Sequence, residues 1–140
     1  MPKEDNELAH RGPIGILLAE DNPHVRKLLH QLIGTYDDLS LVGEAVNGEE
    51  AVLRAVALKP AVVIMDVHLP VLNGRAATTL IRATNPFTAI IGVTAGGPQE
   101  DEKAMIIAGA TVVLNKSDVF HALYPAIVDA FKRVRKPVVY

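Results

Sequence analysis

The stretch AVVIMD at residues 61–66 is apolar over its first five positions and stops at Asp66. A short, continuously apolar run bounded by Pro60 and by a loop is typical of a strand that is covered on both faces. Strands of this kind occur in parallel sheets, where helical crossovers pack on either side. The stretch therefore predicts a buried parallel strand at 61–65 with a carboxylate at its carboxyl end.

Three other apolar runs also end at polar side chains. They are 14–19, which ends at Glu20 and Asp21, 89–93, which ends at Thr94, and 110–115, which ends at Lys116. A weaker apolar run at 39–45 predicts a strand at the edge of the sheet. Apolar spacing, capping residues and proline stops predict helices between the strands. Their expected ranges are 23–35, 48–58, 74–84, 98–108 and 118–134.

Five strands that alternate with five helices indicate a (βα)5 fold of the α/β class. Such alternation implies one parallel sheet with right-handed crossovers and helices on both faces, a flavodoxin-like three-layer sandwich. The doubly wound strand order 2-1-3-4-5 places strands one and three side by side at the switch point. We therefore expect Glu20, Asp21 and Asp66 to converge at the carboxyl edge, where open α/β sheets bind ligands.

The composition predicts one soluble domain and excludes disulfides and cysteine-ligated zinc, since none of the 140 residues is cysteine. A net charge of −2 and an aromatic content of 4% argue against direct nucleic-acid binding. The apolar runs are too short to span a membrane and residues 1–13 carry no apolar signal segment, so a cytoplasmic location is expected. The domain is expected at 14–134, between a disordered lead-in at 1–13 and a tail or linker start at 135–140.

Three carboxylates at one edge repel one another, and each raises the pKa of its neighbours unless a cation joins them. Mg²⁺ suits such a site because it prefers oxygen ligands and typically takes one or two carboxylates together with a phosphate oxygen. We expect Asp21 and Asp66 to bind Mg²⁺ directly and Glu20 to bind it directly or through water. A backbone carbonyl just after Asp66, at His68, would complete the ligands from the protein.

Asp66 is also placed to act as a nucleophile, since carboxylates can form acyl phosphates. Attack on an anionic phosphoryl group requires that the charge of the transition state be neutralised. The metal, the Lys116 ammonium group and the Thr94 hydroxyl would supply this stabilisation from three directions. The catalytic set expected from the residues is thus Asp66, Thr94 and Lys116.

With these residues, the chain resembles a response-regulator receiver domain of two-component signalling over about residues 14–134. The motifs that carry the resemblance are Glu20-Asp21, Val63-Ile64-Met65-Asp66, Leu69-Pro70 with Asn73-Gly74, Thr94-Ala95 and Lys116. The segments VGEA at 42–45 and NGEEA at 47–51 are most similar to receivers of the NarL/FixJ class.

The resemblance implies that a sensor histidine kinase phosphorylates Asp66 with Mg²⁺, and that Thr94 and Lys116 bind the phosphoryl group. It implies no enzymatic activity beyond the domain's own phosphorylation and dephosphorylation. Phosphorylation is expected to draw Thr94 inward, to remodel the face of the fourth helix, fifth strand and fifth helix, and to switch a partner or an output domain. The resemblance also allows a DNA-binding output domain in a longer protein and a phosphorylation-dependent homodimer.

Two positions depart from the usual receiver pattern, and a third occupies a place that in receivers influences how fast the acyl phosphate hydrolyses. Val113, three residues before Lys116, replaces an aromatic switch residue, so the response is expected to depend more on the loop at 95–98. Ser117 follows Lys116 in place of proline, and a trans bond is predicted because a cis bond would cost roughly 3 kcal/mol. His68 is expected to influence hydrolysis of the acyl phosphate, in a direction that the sequence does not define.

Three alternative functions are weighed against the receiver. An aspartate-nucleophile phosphohydrolase would carry a second Asp two residues after the nucleophile, where this chain has His68. A flavodoxin-like cofactor binder would cradle phosphate in its first loop, where Glu20 and Asp21 would repel it. A degenerate receiver acting as a constitutive protein–protein module stays open because of Val113, although all five site residues are retained.

Overall fold

The computed structural model describes residues 12–97 and 99–135, which form a five-stranded sheet with five α-helices. The strands are β1 (Ile14–Ala19), β2 (Leu39–Ala45), β3 (Val62–Asp66), β4 (Ala89–Thr94) and β5 (Val112–Asn115). The helices are α1 (Pro23–Gly34), α2 (Gly48–Leu58), α3 (Gly74–Thr84), α4 (Gln99–Ala108) and α5 (Val119–Arg135). The strand order is β2-β1-β3-β4-β5 and all neighbours are parallel, which confirms the predicted doubly wound fold.

Helices cover both faces of the sheet and bury its alternating side chains in two apolar clusters. On one face, α1 and α5 pack against strand residues such as Ile16, Ile64 and Ile91. On the other face, α2, α3 and α4 pack against residues such as Val63 and Ile90. All five side chains are at most 1% exposed, and burying each contributes roughly 1.5–3 kcal/mol. The sheet is therefore the middle layer of a three-layer sandwich.

Strand β2 lies at one edge of the sheet, as its weak apolar pattern predicts. It pairs with β1 alone, and only its end residues Leu39 and Ala45 are fully buried. Its register against β1 shifts between Ile16 and Leu17. An edge strand needs less apolar surface than a central strand, which explains the weak sequence pattern.

Asparagine side chains cap three helices at the carboxyl edge of the sheet. Asn22, Asn47 and Asn73 accept hydrogen bonds from backbone N–H groups in the first turns of α1, α2 and α3. Each bond satisfies a donor that the helix leaves unpaired, and replacing such a cap by alanine typically costs about 1 kcal/mol. The caps fix three helix N-termini, with their partial positive charge, beside the ends of β1, β2 and β3.

The predicted strand boundaries differ slightly from the observed ones. Asp66 and Thr94 are the last residues of β3 and β4, rather than the first residues after them, because their backbones still pair with the neighbouring strand. The strand predicted at 110–115 begins only at Val112. The side chains of Asp66 and Thr94 are therefore held by the sheet itself and not by a loop.

The helix predicted at 118–134 begins at Val119, after a short turn that the sequence did not indicate. Residues Lys116–Asp118 form a 3₁₀ turn in which the Asn115 side chain accepts a hydrogen bond from the Ser117 N–H, and α5 starts only after this turn. The turn follows β5 directly and fixes the backbone at Lys116. No cis peptide bond occurs in the described part of the chain, so the predicted trans bond after Lys116 is confirmed.

Parts of the predicted termini lie outside the described residues. These parts are 1–11 of the lead-in predicted at 1–13 and 136–140 of the tail predicted at 135–140. Pro98, the predicted start of the fourth helix, also lies outside them. Among the helices described, none is long and apolar enough to cross a membrane.

Candidate functional site

Three carboxylates meet where β1 and β3 end. Glu20 and Asp21 follow β1 directly, Asp66 is the last residue of β3, and the two strands are paired neighbours. One carboxylate oxygen from each residue lies within 4.8 Å of the other two. Glu20 is 1% exposed and Asp66 is 4% exposed, whereas Asp21 faces solvent. The structure thus brings the three predicted metal-binding side chains together, with the open side of the cluster at Asp21.

Lys116 reaches this cluster from the end of β5. Its ammonium nitrogen lies 2.9 Å from Oε1 of Glu20 and 3.1 Å from Oδ2 of Asp66. Burial by itself would lower the pKa of Lys116, but its contacts with Glu20 and Asp66 outweigh burial and raise that pKa. The lysine is therefore protonated and neutralises part of the negative charge.

The buried carboxyl group of Glu20 has a raised pKa. Burial raises the pKa from 4.5 to about 7, the hydrogen bond from Lys116 opposes the rise, and Asp66 adds to it. Oε2 of Glu20 also accepts a hydrogen bond of 3.1 Å from the backbone N–H of Asn22. With a pKa of about 7, Glu20 carries a proton in a substantial fraction of the molecules near neutral pH. A divalent cation among these oxygens would favour the charged form instead.

The Asp66 carboxylate is held by two donors and by a tightly folded loop. Oδ1 accepts a hydrogen bond of 2.9 Å from the His68 N–H, and Oδ2 accepts one from Lys116. A Cβ atom at Gly74 would lie 2.1 Å from the carbonyl oxygen of Asp66, so only glycine fits there. The Gly74 N–H donates to the carbonyl of Val67 at 2.9 Å. These contacts fix the direction of the carboxylate at the strand end.

Thr94 ends β4, the strand between those that lead to Asp66 and Lys116. It is 8% exposed, and its hydroxyl has no hydrogen-bond partner among the described residues. A buried hydroxyl without a partner costs free energy, and such groups in native structures call for an explanation such as a water or a ligand. An oxyanion bound at this edge of the sheet would give the hydroxyl an acceptor.

The loop between β3 and α3 contains a strained residue that the sequence did not indicate. Val71 is 75% exposed and has a φ of 69°, in the left-handed region that β-branched residues rarely adopt. The next residue packs so closely on α2 that a Cβ atom at Gly48 would lie 1.8 Å from the Leu72 carbonyl oxygen. The loop contacts both α2 and β3, and these contacts hold its backbone in place. The strained conformation of Val71 persists for this reason.

His68 and Val113 both contact α4. Nε2 of His68 lies 3.3 Å from Oδ2 of Asp101 in the first turn of α4. Val113 is half-buried and packs with Met105 of α4 against Gly92. No sequence pattern indicated Asp101, because its contact with His68 depends on how the β3–α3 loop and the start of α4 pack together. The backbone carbonyl of His68 stays a predicted metal ligand.

Comparison with known proteins supplies the family. The family model described as "Response regulator receiver domain" matches residues 16–127. The chain is 33% identical over 121 residues to protein-glutamate methylesterase/protein-glutamine glutaminase 1 of Methanosarcina acetivorans, covering 85% of this chain and 34% of that protein. It is 30% identical over 123 residues to the nitrate/nitrite response regulator protein NarL of Escherichia coli, covering 85% and 57%. The chain thus spans between a third and somewhat more than half of these relatives.

Solved structures agree with this relationship. A two-component response regulator of the LuxR family from Aurantimonas sp. SI85-9A1 superposes with a TM-score of 0.82 at 28% identity, covering 86% of each chain. The response regulator domain of Thermotoga maritima CheB superposes with a TM-score of 0.75 at 28% identity, covering 91% of this chain and 99% of that one. Receivers of NarL and LuxR-family regulators are therefore close neighbours in sequence and structure, as predicted. The family match covers most of the chain and all four polar strand ends, and the chain belongs to the response regulator receiver domain family of two-component systems.

Proposed function

We propose that this domain accepts a phosphoryl group on Asp66 from a sensor histidine kinase, with Mg²⁺ bound at Glu20, Asp21 and Asp66. The observation that carries the proposal is the position of Lys116, whose ammonium nitrogen lies 3.1 Å from the acceptor carboxylate. The unpaired, buried hydroxyl of Thr94 adds a donor at the same edge of the sheet. A carboxylate nucleophile with a fixed cation and a free donor nearby suits phosphoryl transfer.

The donor set fits Mg²⁺, which when bound would neutralise charge on the carboxylates and on the transferred group. The three carboxylate oxygens lie close enough to share one ion, and a bound cation would offset the burial and the Asp66 charge that raise the pKa of Glu20. Asp21 and Asp66 would hold the ion directly, and Glu20 directly or through water. The backbone carbonyl of His68 would add one further oxygen.

The transfer itself would be a single displacement at phosphorus. A carboxylate oxygen of Asp66 attacks, a P–O bond forms, and the P–N bond to the kinase imidazole breaks. The Lys116 ammonium group would pair with one phosphoryl oxygen, and the Thr94 hydroxyl would donate to another. The hydrogen bond from the His68 N–H to Oδ1 already orients the carboxylate for this attack.

The same proposal covers the extent of the domain, its location and its partners. The receiver unit would cover 14–134, act in the cytoplasm and switch a partner, a homodimer or a DNA-binding output domain without binding nucleic acid itself. Two response regulators among the relatives are longer than this chain, which covers 57% of NarL and 54% of the response regulator GacA of Pseudomonas protegens.

No methylesterase activity is proposed for this chain. It covers 34% of the Methanosarcina methylesterase but 99% of the response regulator domain of Thermotoga maritima CheB. The proposal for the residues of this chain is a regulatory domain that catalyses only its own phosphorylation and dephosphorylation.

Incubation with Mg²⁺ and a small acyl phosphate tests the proposal. We expect the intact mass of the protein to rise by one phosphoryl group, and this rise to be absent with EDTA or in Asp66→Asn. Asp118→Asn is a matched control, because Asp118 is an exposed carboxylate just after β5 and should leave labelling unchanged. Equal labelling of the Asp66→Asn variant and the wild type would refute the assignment.

A further inference from the structure

We propose that Asp101 is a positioning residue: it holds the His68 imidazole across the loop between β4 and α4 and thereby slows hydrolysis of the acyl phosphate. This inference rests on the proposed phosphorylation of Asp66 and extends it to the lifetime of the product. Its basis is a contact among three segments, namely the β3–α3 loop, the β4–α4 loop and the first turn of α4.

The His68–Asp101 contact joins a loop to a helix. Nε2 of His68 lies 3.3 Å from Oδ2 of Asp101, and the two side chains are 60% and 32% exposed. A neutral imidazole protonated at Nε2 can donate to a carboxylate, so the contact does not require a charged histidine. Asp101 is the less exposed partner and lies on a helix, so it forms the fixed end of the contact.

Gly97 lets this pair lie directly over the loop that follows Thr94. A Cβ atom at Gly97 would lie 3.1 Å from Oδ2 of Asp101 and 3.8 Å from Nε2 of His68. The loop backbone and the side-chain pair are therefore in close contact. Since His68 lies two residues after Asp66 and Gly97 three residues after Thr94, the pair bridges the two loops that follow the proposed acceptor and the Thr94 hydroxyl.

A cavity of about 230 Å³ adjoins the pair between α3 and α4. Its lining residues are Val67, His68, Asn73, Arg75, Asp101 and Ala104. This volume is sufficient for several water molecules, since each occupies about 30 Å³ in the liquid. An imidazole held in place by Asp101 limits the approach of this water to the phosphoryl group.

Release of the imidazole would favour hydrolysis. In hydrolysis, a water oxygen bonds to phosphorus, the bond from phosphorus to the Asp66 oxygen breaks, and the water passes a proton to the solvent. A mobile imidazole would no longer obstruct the approach of this water, which shortens the lifetime of the acyl phosphate.

The first experiment follows the decay of the phosphorylated protein by intact mass after the phosphodonor has been removed. Asp101→Ala should decay at least about twofold faster than wild type, in line with the coupling found between contacting residues. Asp101→Asn keeps an acceptor oxygen and should retain nearly the wild-type lifetime. Glu102→Ala removes an acidic side chain from the same first turn and should have no effect. Exposed ion pairs contribute little to stability, so the unfolding midpoints of all three variants should match that of wild type.

A double-mutant cycle tests whether Asp101 acts through His68. In a His68→Ala background, adding Asp101→Ala should leave the decay rate unchanged. The proposal is overturned if Asp101→Ala does not accelerate decay, or if it does so equally with and without the imidazole.

Nuclear magnetic resonance of the His68 ring nitrogens tests the contact itself in the unphosphorylated protein. Asp101→Ala should shift these resonances, and Glu102→Ala should not. This readout separates the two proposals, because it needs no phosphorylation. A wild-type protein that takes up no phosphoryl group would count against the proposed function, whereas unshifted ring resonances in Asp101→Ala would overturn the positioning role.

Discussion

The ammonium nitrogen of Lys116 lies 3.1 Å from Oδ2 of Asp66, a residue 50 positions earlier in the chain. The two side chains meet because β3 and β5 are parallel strands that end at one edge of the sheet, with β4 between them. A cation that is already in place beside the acceptor needs no reorganisation when charge develops in the transition state. This pre-formed pair is the centre of the proposed chemistry.

Replacing Lys116 should therefore slow phosphorylation more than it affects the fold. We expect Lys116→Met to reduce the rate of Asp66 labelling about 100-fold, as loss of one charge-stabilising donor commonly does. The same substitution at Lys103, an exposed lysine of α4, is the matched control and should leave the rate unchanged. The labelling rate can be measured by intact mass with a small acyl phosphate and Mg²⁺. A Lys116→Met rate equal to that of the control would show that the pair has no role in transfer.

Magnesium should stabilise the domain more at pH 8 than at pH 6. Burial, only partly offset by Lys116, raises the pKa of Glu20 from its usual value of 4.5 to about 7 in the folded protein. In the metal-free protein, the protonated Glu20 carboxyl group contributes its full stabilisation below about pH 4.5. This contribution is lost as the pH rises through about 7. Because Mg²⁺ binds the deprotonated carboxylate, its stabilising effect grows over the same range.

Thermal unfolding with Mg²⁺ and with EDTA at the two pH values measures this difference. Glu20→Gln cannot titrate and should make the effect of Mg²⁺ nearly independent of pH in this range. An equal Mg²⁺-induced shift of the unfolding midpoint at pH 6 and pH 8 in the wild type would contradict the role assigned to Glu20.

Gly74 should be irreplaceable because of its distance from the acceptor backbone. A Cβ atom there would lie 2.1 Å from the Asp66 carbonyl oxygen, so Gly74→Ala should lower the free energy of unfolding by about 3 kcal/mol. Gly34→Ala is the matched control, because a Cβ atom at the end of α1 would meet no atom within 4 Å. That control should be neutral or stabilising by up to about 1 kcal/mol. Urea unfolding of both variants measures this difference, and a Gly74→Ala variant as stable as the wild type would contradict the prediction.

Arg82 should matter for stability and not for phosphorylation. Its guanidinium group donates to the carbonyl oxygens of Pro86, Thr88 and Gly109 at the amino edge of the sheet, and burial lowers its pKa. Arg82→Met should lower the free energy of unfolding by about 1–3 kcal/mol and leave the Asp66 labelling rate unchanged. Arg54→Met removes an exposed salt bridge within α2 and should cost at most about 0.5 kcal/mol. A large loss of labelling in Arg82→Met would show that the two edges of the sheet are coupled.

Much of the fold could be predicted from the sequence, because the apolar runs and capping residues that indicate strands and helices are local patterns. Apolar runs that stop at Asp66 or Thr94 indicate both a buried strand and the chemistry at its end, and strand order then brings these ends together. The starts of α1 and α2 could also be predicted, because the capping side chains Asn22 and Asn47 act within one turn of the helix.

Contacts between loops could not be predicted in the same way. The His68–Asp101 contact and the strained backbone at Val71 depend on how segments pack after the sheet has formed, and no periodic pattern encodes that packing. The effect of Val113 on the response to phosphorylation stays a prediction.

The location of the phosphoryl group tests the central claim most directly. Borohydride reduction converts an aspartyl phosphate to homoserine, and peptide mass spectrometry can then locate the modified position. The account predicts homoserine at position 66 alone, formed only after incubation with Mg²⁺ and a phosphodonor. Homoserine at position 21 or at another carboxylate, or none at position 66 despite a rise in intact mass, would contradict it.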